Sequence, residues 1–238
     1  MMKKTAPFRL KQFIVRQNNC AMKVGTDAIL LGAWASVARP ENILDIGTGT
    51  GIIALMLGQR YPQATVDAVE SDALACQQAS DNFEKSPWPD RLTAHCCDIQ
   101  NFVSERHYDL IVCNPPYFQQ SLKPTATARR MARHDETLSS IDLVNSVDRL
   151  LTADGRFSVI EPSSQSEDFI AVAAEQHLYC MQRCYVRPTP NHEPKRVLME
   201  FTRQANTTVD ETEIVIESSR HIYTPEYAAL AKDFLLKL

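Results

Sequence analysis

The sequence predicts an α/β protein whose mostly parallel, doubly wound sheet carries helices on both faces. Two observations support this fold class. Short apolar runs alternate with segments of helical periodicity from residue 26 to residue 177, a pattern typical of parallel strands joined by helical crossovers. The last two predicted strands, 179–187 and 196–203, are joined by a connection too short for a parallel crossover. We therefore expect the last strand to be antiparallel.

The elements follow one another in a regular order. Residues 8–17 alternate loosely between apolar and polar side chains and indicate a short hairpin, whereas residues 26–38 indicate a helix that Thr26 can cap. Short apolar runs, the pattern of buried strands, recur at residues 43–46, 65–70, 92–97, 109–113 and 155–160. Helical periodicity recurs at residues 51–61, 71–84, 137–152, 167–177 and 224–238.

The composition is that of one globular domain. Apolar residues make up 44% and charged residues 23% of the 238 residues, and no repeat or Gly/Ser linker divides them. We expect a single domain over 1–238, with an N-terminal hairpin extension over 1–25 and a C-terminal helix over 224–238. No apolar run approaches the roughly 18 residues of a membrane span, and the N-terminus lacks the apolar core of a secretory signal. The expected location is the cytoplasm, without membrane contact.

The seven cysteines do not predict a metal site. Cys96 and Cys97 are adjacent, and Cys180 and Cys184 are four residues apart, so neither pair has the C-x₂-C spacing of a zinc site. We expect no bound metal.

Positive charge is concentrated in three segments, although the net charge is −4. Segments 1–16 and 119–134 contain basic residues and no acid, and segment 183–203 has more basic than acidic residues. Such segregation can form a phosphate-binding patch for a nucleic acid. Solvated loops explain the same pattern, so charge alone leaves both interpretations open.

Residues 44–51, Leu-Asp-Ile-Gly-Thr-Gly-Thr-Gly, indicate a ligand-binding turn between a buried strand and a helix. Glycines at 47, 49 and 51 permit unusual φ angles and let a ligand approach the backbone. The helix that follows presents its N-terminus to electron-rich groups. In open α/β sheets, ligands bind at this carboxyl edge of the strands.

Acidic residues follow the next two strands. Glu70 ends the second strand and can accept hydrogen bonds from both hydroxyls of a ribose. Asp98 follows the third strand and can receive the amino group of a bound adenine, with Ile99 covering the ring. These residues predict a ligand that contains adenosine.

A dinucleotide is the alternative ligand for this loop. The spacing here is G-x-G-x-G rather than G-x-G-x-x-G. Asp45, inside the apolar strand, would repel a pyrophosphate and attract the ammonium group of a methionine moiety. The loop therefore favours S-adenosylmethionine over a nicotinamide cofactor.

The fourth strand leads directly into Asn114-Pro115-Pro116-Tyr117, the most specific motif of the chain. The prolines fix φ and lack N–H donors, so the Asn114 side chain and the Pro115 carbonyl can accept both hydrogens of an NH₂ group. Tyr117 offers a flat face on which a planar base or amide can stack. A rigid proline turn that merely closes a strand is the structural alternative.

These acceptors suit methyl transfer to an exocyclic amine. The lone pair of such a nitrogen is delocalised into the ring, which makes it a poor nucleophile. Two acceptors aimed at its hydrogens stabilise the positive charge that develops as it reacts and orient the lone pair. The sulfonium already activates the methyl group, so neither a metal nor a strong base is required.

These motifs resemble those of the class I methyltransferases that methylate amino groups and carry an N-P-P-Y motif. The resemblance covers roughly residues 20–205 and implies a Rossmann-like, seven-stranded fold. A narrower resemblance, carried by Met22–Trp34, residues 132–136 and residues 227–238, is to bacterial enzymes that methylate N6 of adenine 37 in a valine tRNA.

The resemblance implies a role for each motif residue. The catalytic residues would be Asn114, Pro115, Pro116 and Tyr117. The residues that hold S-adenosylmethionine would be Lys23, Gly25, Thr26, Asp27, Asp45, Gly47, Thr48, Gly49, Gly51, Glu70, Ser71, Asp98, Ile99 and Asn114. The three basic segments 1–16, 119–134 and 183–203 would grip the tRNA around its anticodon loop.

Two alternatives remain. N-P-P-Y also suits the amide nitrogen of a protein glutamine, but about 40 residues before the glycine loop leave no room for the N-terminal recognition domain expected of such an enzyme. The other alternative is a non-catalytic module that binds S-adenosylmethionine and RNA.

Overall fold

The computed structural model describes residues 5–115, 138–205 and 208–238. Twelve strands lie within these parts. The first six are β1 (Phe8–Arg9), β2 (Ile14–Val15), β3 (Asn42–Ile46), β4 (Thr65–Glu70), β5 (Leu92–Cys96) and β6 (Tyr108–Cys113). The others are β7 (Leu151–Pro162), β8 (Tyr179–Arg187), β9 (Arg196–Thr202), β10 (Asp210–Val215), β11 (Glu217–Ser219) and β12 (Ile222–Tyr223).

Six α-helices lie in the same described parts. They are α1 (Thr26–Trp34), α2 (Ile52–Arg60), α3 (Ala73–Glu84), α4 (Ser140–Leu150), α5 (Ser166–Glu175) and α6 (Pro225–Ala231). None of the helices in the described parts reaches the length and apolarity that a membrane crossing requires.

The central sheet has the order β10-β8-β9-β7-β6-β3-β4-β5. Every pair is parallel except those of β9, which runs antiparallel to both β7 and β8. The prediction of a doubly wound, mostly parallel sheet with an antiparallel final strand is thereby confirmed, β9 being the strand that the sequence indicated. β3 and β6 are adjacent although β4 and β5 lie between them in sequence. The order in which strands are added across the sheet therefore reverses between β3 and β6.

The sheet has eight strands in the described parts of the chain, rather than the seven expected. The additional strand, β10, pairs with β8 in parallel at the edge of the sheet. Its sequence, Asp-Glu-Thr-Glu-Ile-Val, is mostly polar and its side chains are mostly exposed. An edge strand that faces solvent does not need the apolar run that identifies a buried strand, so the sequence did not reveal it.

Both faces of the sheet are covered. One apolar cluster joins α1, α2, α3 and α6 to one face, through residues such as Leu31, Leu55 and Val112. The other joins α4 and α5 to the opposite face, through residues such as Val147 and Phe157. Burial of these apolar side chains holds the helices against the strands. The carboxyl edge of the sheet stays available for polar groups.

Two predicted helices differ from the structure. Gly25, rather than Thr26, is the N-cap of α1, and no side chain caps that end. The C-terminal helix ends at Ala231 rather than at Leu238, because the segment after it pairs with the N-terminal hairpin. Residues 232–234 form a turn, after which Leu10 and Leu235 form an antiparallel bridge and the Lys11 amide donates to the Phe234 carbonyl at 2.8 Å.

Candidate active site

The glycine-rich loop crosses the carboxyl end of β3 in a left-handed conformation. Gly47, Gly49 and Gly51 have φ angles of 69°, 55° and 81°, which residues with a Cβ rarely adopt. A Cβ on Gly51 would also lie 2.5 Å from Cε1 of Phe83. A Cβ on Gly47 or Gly49 would meet no atom within 4 Å. There is therefore open space above the first two glycines, where a ligand can approach the backbone.

Asp45 supports this loop from below. Its side chain is fully buried, and its Oδ2 accepts a hydrogen bond from Thr48 Oγ1 at 2.6 Å and from the Ala54 amide at 3.2 Å. No described residue makes a hydrogen bond to its buried Oδ1. Burial raises the pKa of Asp45 to about 7, against the effect of these two donors. Asp45 thus fixes the turn and supplies a charge that is sensitive to pH near neutrality.

Glu70 closes the other side of the loop. Its Oε2 accepts from the Gly49 amide at 2.8 Å, and its Oε1 accepts from the Asp72 amide at 2.9 Å. Asp72 in turn caps α3 by accepting from the Ala75 amide at 2.8 Å. Each carboxylate oxygen keeps a further lone pair, so Glu70 can still accept two hydroxyl groups.

The segment before α1 lies near the same edge, with its side chains engaged in protein contacts. Lys23 Nζ donates to the carbonyls of Gln17 and Cys20, at 2.6 and 2.7 Å. Asp27 Oδ2 accepts from Arg196 Nε at 2.9 Å. Gly25 and Thr26 lie between them, exposed to solvent. These contacts fix the shape of the segment that was predicted to line the methionine end of the cofactor.

The remaining predicted cofactor residues differ in exposure. Ser71 and Asp98 are exposed beyond the ends of β4 and β5, whereas Thr48 is buried under the glycine loop. Ile99 is buried in the apolar cluster of α4 and α5. Its predicted contact with an adenine ring stays a prediction.

Asn114 and Pro115 follow β6 at the same edge as the glycine loop. The register pairs Cys113 of β6 with Ile46 of β3, so Asn114 and Gly47 leave adjacent strands at the same level. Neighbouring strands lie about 4.8 Å apart. Pro115 is buried and Asn114 is half-buried. The structure therefore brings the start of the N-P-P-Y motif beside the glycine loop, as predicted, while Pro116, Tyr117 and segment 119–134 lie outside the described residues.

The sequence reasoning missed two residues beside this edge. Glu161 lies near the end of β7 and is 6% exposed. Burial raises its pKa to about 7, although the charge of Arg196 acts in the opposite direction. Asn82 of α3, also buried, donates to the Thr50 carbonyl of the glycine loop at 2.8 Å. An acid at the end of an apolar strand was the available signal for Glu161, the same signal that identified Glu70.

The basic segment 183–203 is largely neutralised by acids of the same protein. Four of its arginines form ion pairs: Arg183 with Glu167, Arg187 with Glu213, Arg196 with Asp27, and Arg203 with Asp148. No cluster of His, Cys, Asp or Glu among residues 5–115, 138–205 and 208–238 could hold a metal ion.

Solved structures share this fold. A predicted O-methyltransferase from Agrobacterium tumefaciens matches with a TM-score of 0.69 and 16% identity, over 87% of this chain and 96% of that one. A TehB-like SAM-dependent methyltransferase from Corynebacterium glutamicum matches with a TM-score of 0.51 and 21% identity, over 77% of this chain and 90% of that one. The fold is therefore that of the SAM-dependent methyltransferases.

Sequence relatives narrow this class. The methyltransferase small domain family matches residues 22–163. Relatives named tRNA1(Val) (adenine(37)-N6)-methyltransferase are 45% identical in Trichodesmium erythraeum and 46% identical in Phocaeicola vulgatus, each over 97% of this chain and 98% of the relative. A relative of the same name in Flavobacterium psychrophilum is 45% identical over 97% of this chain and its own full length. The chain belongs to the family of bacterial tRNA1(Val) (adenine(37)-N6)-methyltransferases.

Proposed function

We propose that this enzyme transfers a methyl group from S-adenosylmethionine to N6 of adenine 37 in the anticodon loop of tRNA1(Val). The observation that carries the proposal is the adjacency of two structures: an open glycine loop flanked by Glu70, and the Asn114-Pro115 end of β6 on the neighbouring strand. Family membership supports the choice of substrate. We further propose a cytoplasmic location, because tRNA is modified there in bacteria.

The residues at the loop fit the donor. The space above Gly47 and Gly49 lets a ligand reach the backbone, and the free lone pairs of Glu70 suit the two hydroxyls of a ribose. Asp45 adds negative charge beneath a site that would hold a cation. When bound, the sulfonium supplies an activated methyl group. We assign the adenine end of this donor to the side of Asp98 and the methionine end to the side of Lys23 and Asp27.

The role of the acceptor motif is to orient an amine. Asn114 and the Pro115 carbonyl accept the two N6 hydrogens and direct the nitrogen lone pair toward the methyl group. They also favour the positive charge that the nitrogen gains. Tyr117 stacks on the base in this proposal. An anticodon-loop base is already unpaired, so bringing it into the site costs less than extruding a duplex base.

The proposed grip on the tRNA comes mainly from the basic segments 1–16 and 119–134. Segment 183–203 contributes less, because four of its arginines already pair with acids. Charge reversal at Arg129, Arg130 and Arg133 is expected to weaken tRNA binding while binding of S-adenosylmethionine survives. Equal tRNA binding by the variant and the wild type at low salt would contradict this.

The test is nucleoside mass spectrometry of tRNA incubated with the enzyme and S-adenosylmethionine. We expect N6-methyladenosine at position 37 of tRNA1(Val), and none when adenine 37 is replaced by guanine. Asn114→Ala is expected to lose methyl transfer by about 100-fold or more while it still binds tRNA. Full activity of this variant would remove the role assigned to the N-P-P-Y motif. Methylation of a protein glutamine instead would favour the other kind of acceptor.

A further inference from the structure

Glu161 lies at the position on β7 that corresponds to the acceptor motif on β6. The register pairs Cys113 with Val159, and the same parallel register continued by two residues brings Glu161 level with Pro115. Side chains two residues apart on a strand point to the same face, so Glu161 shares the face of Val159 and Cys113. Glu161 therefore borders the end of β6 from which the N-P-P-Y motif begins.

The charge of Glu161 acts at this end of β6. The pKa of the buried Cys113 thiol is raised first by burial and then by the charges of Asp45, Glu161 and Glu70. Three carboxylates from three strands thus impose a negative potential on one point of the carboxyl edge. Among the described residues, the positive group that lowers the pKa of Glu161 is Arg196, at the start of the neighbouring β9.

Arg196 is itself held in place. Its Nε donates to Asp27 Oδ2 at 2.9 Å, and its Nη1 donates to the Lys195 carbonyl at 3.0 Å. Asp27 belongs to the first turn of α1. In the register of β7 and β9, Arg196 lies opposite Pro162, next to the pair formed by Glu161 and Val197, so its charge lies near the end of β7.

Glu200 shows that this arrangement is not a general property of buried acids in the sheet. Glu200 is 7% exposed and Glu161 is 6% exposed, and burial raises both pKa values to about 7. Glu200, in the interior of β9, has local partners: Ser158 Oγ at 3.4 Å and Arg156 Nε at 3.6 Å. For Glu161, burial is the largest influence on the pKa, and among the described residues the charge of Arg196 opposes it. The two acids differ in position, because Glu161 lies at the carboxyl edge of the parallel strands, where ligands of open α/β sheets bind.

We propose that Glu161 belongs to the methyl-acceptor site, where its carboxylate stabilises the positive charge that develops on the target nitrogen. This inference rests on the proposed function. In the reaction the nitrogen lone pair forms the new N–C bond while the carbon–sulfur bond breaks, its electron pair staying on sulfur. The nitrogen is then cationic until one of its protons leaves to water. Asn114 and Pro115 offer dipoles to this charge, and Glu161 offers a full negative charge.

A pH dependence of methyl transfer follows. The rate requires ionised Glu161, so it rises as pH increases through about 7, the pKa of Glu161. In the part of the chain that the structure describes, the charged or titratable groups around it are Arg196 on β9, Cys113 on β6, and Asp45 and Glu70 through their common effect on Cys113. Loss of the positive charge at 196 raises the pKa of Glu161 further, which moves the rise in rate to higher pH.

The first experiment compares Glu161→Gln with its matched control Glu200→Gln. Single-turnover methyl transfer to tRNA1(Val) is measured from pH 6 to 8.5 at saturating S-adenosylmethionine, together with the dissociation constants of both ligands. Glu161→Gln is expected to lower the rate about 10- to 100-fold at pH 8 and to remove the rise near pH 7, with both dissociation constants within about twofold of the wild type. Glu200→Gln is expected to keep the rate and the pH profile.

A Glu161→Gln rate within twofold of the wild type, or a retained pH rise, would overturn the inference and leave the proposed function intact. A wild type that methylates no RNA would overturn the proposed function and this inference together. A pH rise that belongs to Asp45 survives in Glu161→Gln, so the two carboxyl groups are distinguished.

The second experiment tests the effect of the Arg196 charge on Glu161. Arg196→Met is expected to lower the rate at pH 7 about tenfold and to recover part of it at pH 8.5, whereas Arg196→Lys keeps the wild-type pH midpoint. Thermal unfolding confirms that each variant is folded. An equal loss at every pH, unrelieved in Arg196→Lys, would mean that Arg196 only stabilises the fold and would overturn this part.

Discussion

The two halves of the carboxyl edge are built differently. At the ends of β3 and β4, polar groups from consecutive elements bind one another, Thr48 to Asp45 across 3 residues and Gly49 to Glu70 across 21 residues. At the start of β9, next to the end of β7, a contact joins Arg196 to Asp27, 169 residues away in sequence. The donor half is thus a preorganised turn, whereas the acceptor half depends on the packing of distant elements. Substitutions in the first half should affect donor binding, and substitution of Glu161 in the second should affect the rate.

The largest effect is expected for Gly51→Ala, which tests how far the donor half depends on its turn. The added Cβ combines a left-handed φ of 81° with a 2.5 Å contact to Phe83. We expect the free energy of unfolding to fall by roughly 3 kcal/mol, measured by urea denaturation. Gly47→Ala, the control, has open space around its Cβ and is expected to lose only about 1–2 kcal/mol. Equal losses would mean that the contact with Phe83 relaxes freely.

Glu70→Ala tests whether the affinity for S-adenosylmethionine can change without a change in tRNA binding. The substitution removes the acceptors of the Gly49 and Asp72 amides, together with those proposed for the ribose. The dissociation constant of S-adenosylmethionine should rise by about 100-fold, since hydrogen bonds to charged groups contribute about 1.5–3 kcal/mol each. Calorimetry measures this change. Weakened tRNA binding in the same variant would contradict the division of the edge into two halves.

The pH dependence of donor affinity tests the role of Asp45 in the donor half. The folded-state pKa of Asp45 is raised by burial to about 7, from 3.8. Without the donor, Asp45 holds more of its proton in the folded protein than in the unfolded chain between pH 3.8 and about 7. Its contribution to the free energy of unfolding therefore decreases over this range and is lost as pH rises through 7. A cationic donor favours the ionised form, so its affinity should rise with pH, by up to tenfold per pH unit below 7. Asp45→Asn should flatten this dependence in calorimetric titrations from pH 6 to 8.

The smallest effect is expected at the cap of α3. Asp72→Ala removes the acceptor of the Ala75 amide, and loss of such a cap costs about 1 kcal/mol. The backbone amide of residue 72 remains, so the contact with Glu70 survives and donor affinity should stay within about twofold. Thermal denaturation and calorimetry measure the two quantities. A larger loss of affinity would show that the cap and the donor site act as one unit.

The difference between contacts of consecutive elements and contacts of distant elements explains which features the sequence could predict. The glycine loop, Glu70 and Asn114 are recognisable because each lies directly after an apolar strand. Glu161 occupies an equivalent position, but Arg196, whose charge acts on it, lies beyond an entire helix and strand in sequence. Strand β10 carried no apolar signal, because its edge position leaves it exposed. Side-chain pairing between distant elements is fixed by tertiary packing, which local patterns do not encode.

The ion pairs of segment 183–203 affect how tRNA binding responds to salt. A lysine or arginine that neutralises a phosphate releases condensed counterions, and each such contact steepens the decrease of affinity with ionic strength. An arginine already bound to a carboxylate must first leave it, and that exchange releases few counterions. The slope measured for this enzyme should therefore report the phosphates held by other parts of the chain. Neutral substitution of Arg187, which is paired with Glu213, should leave the slope nearly unchanged.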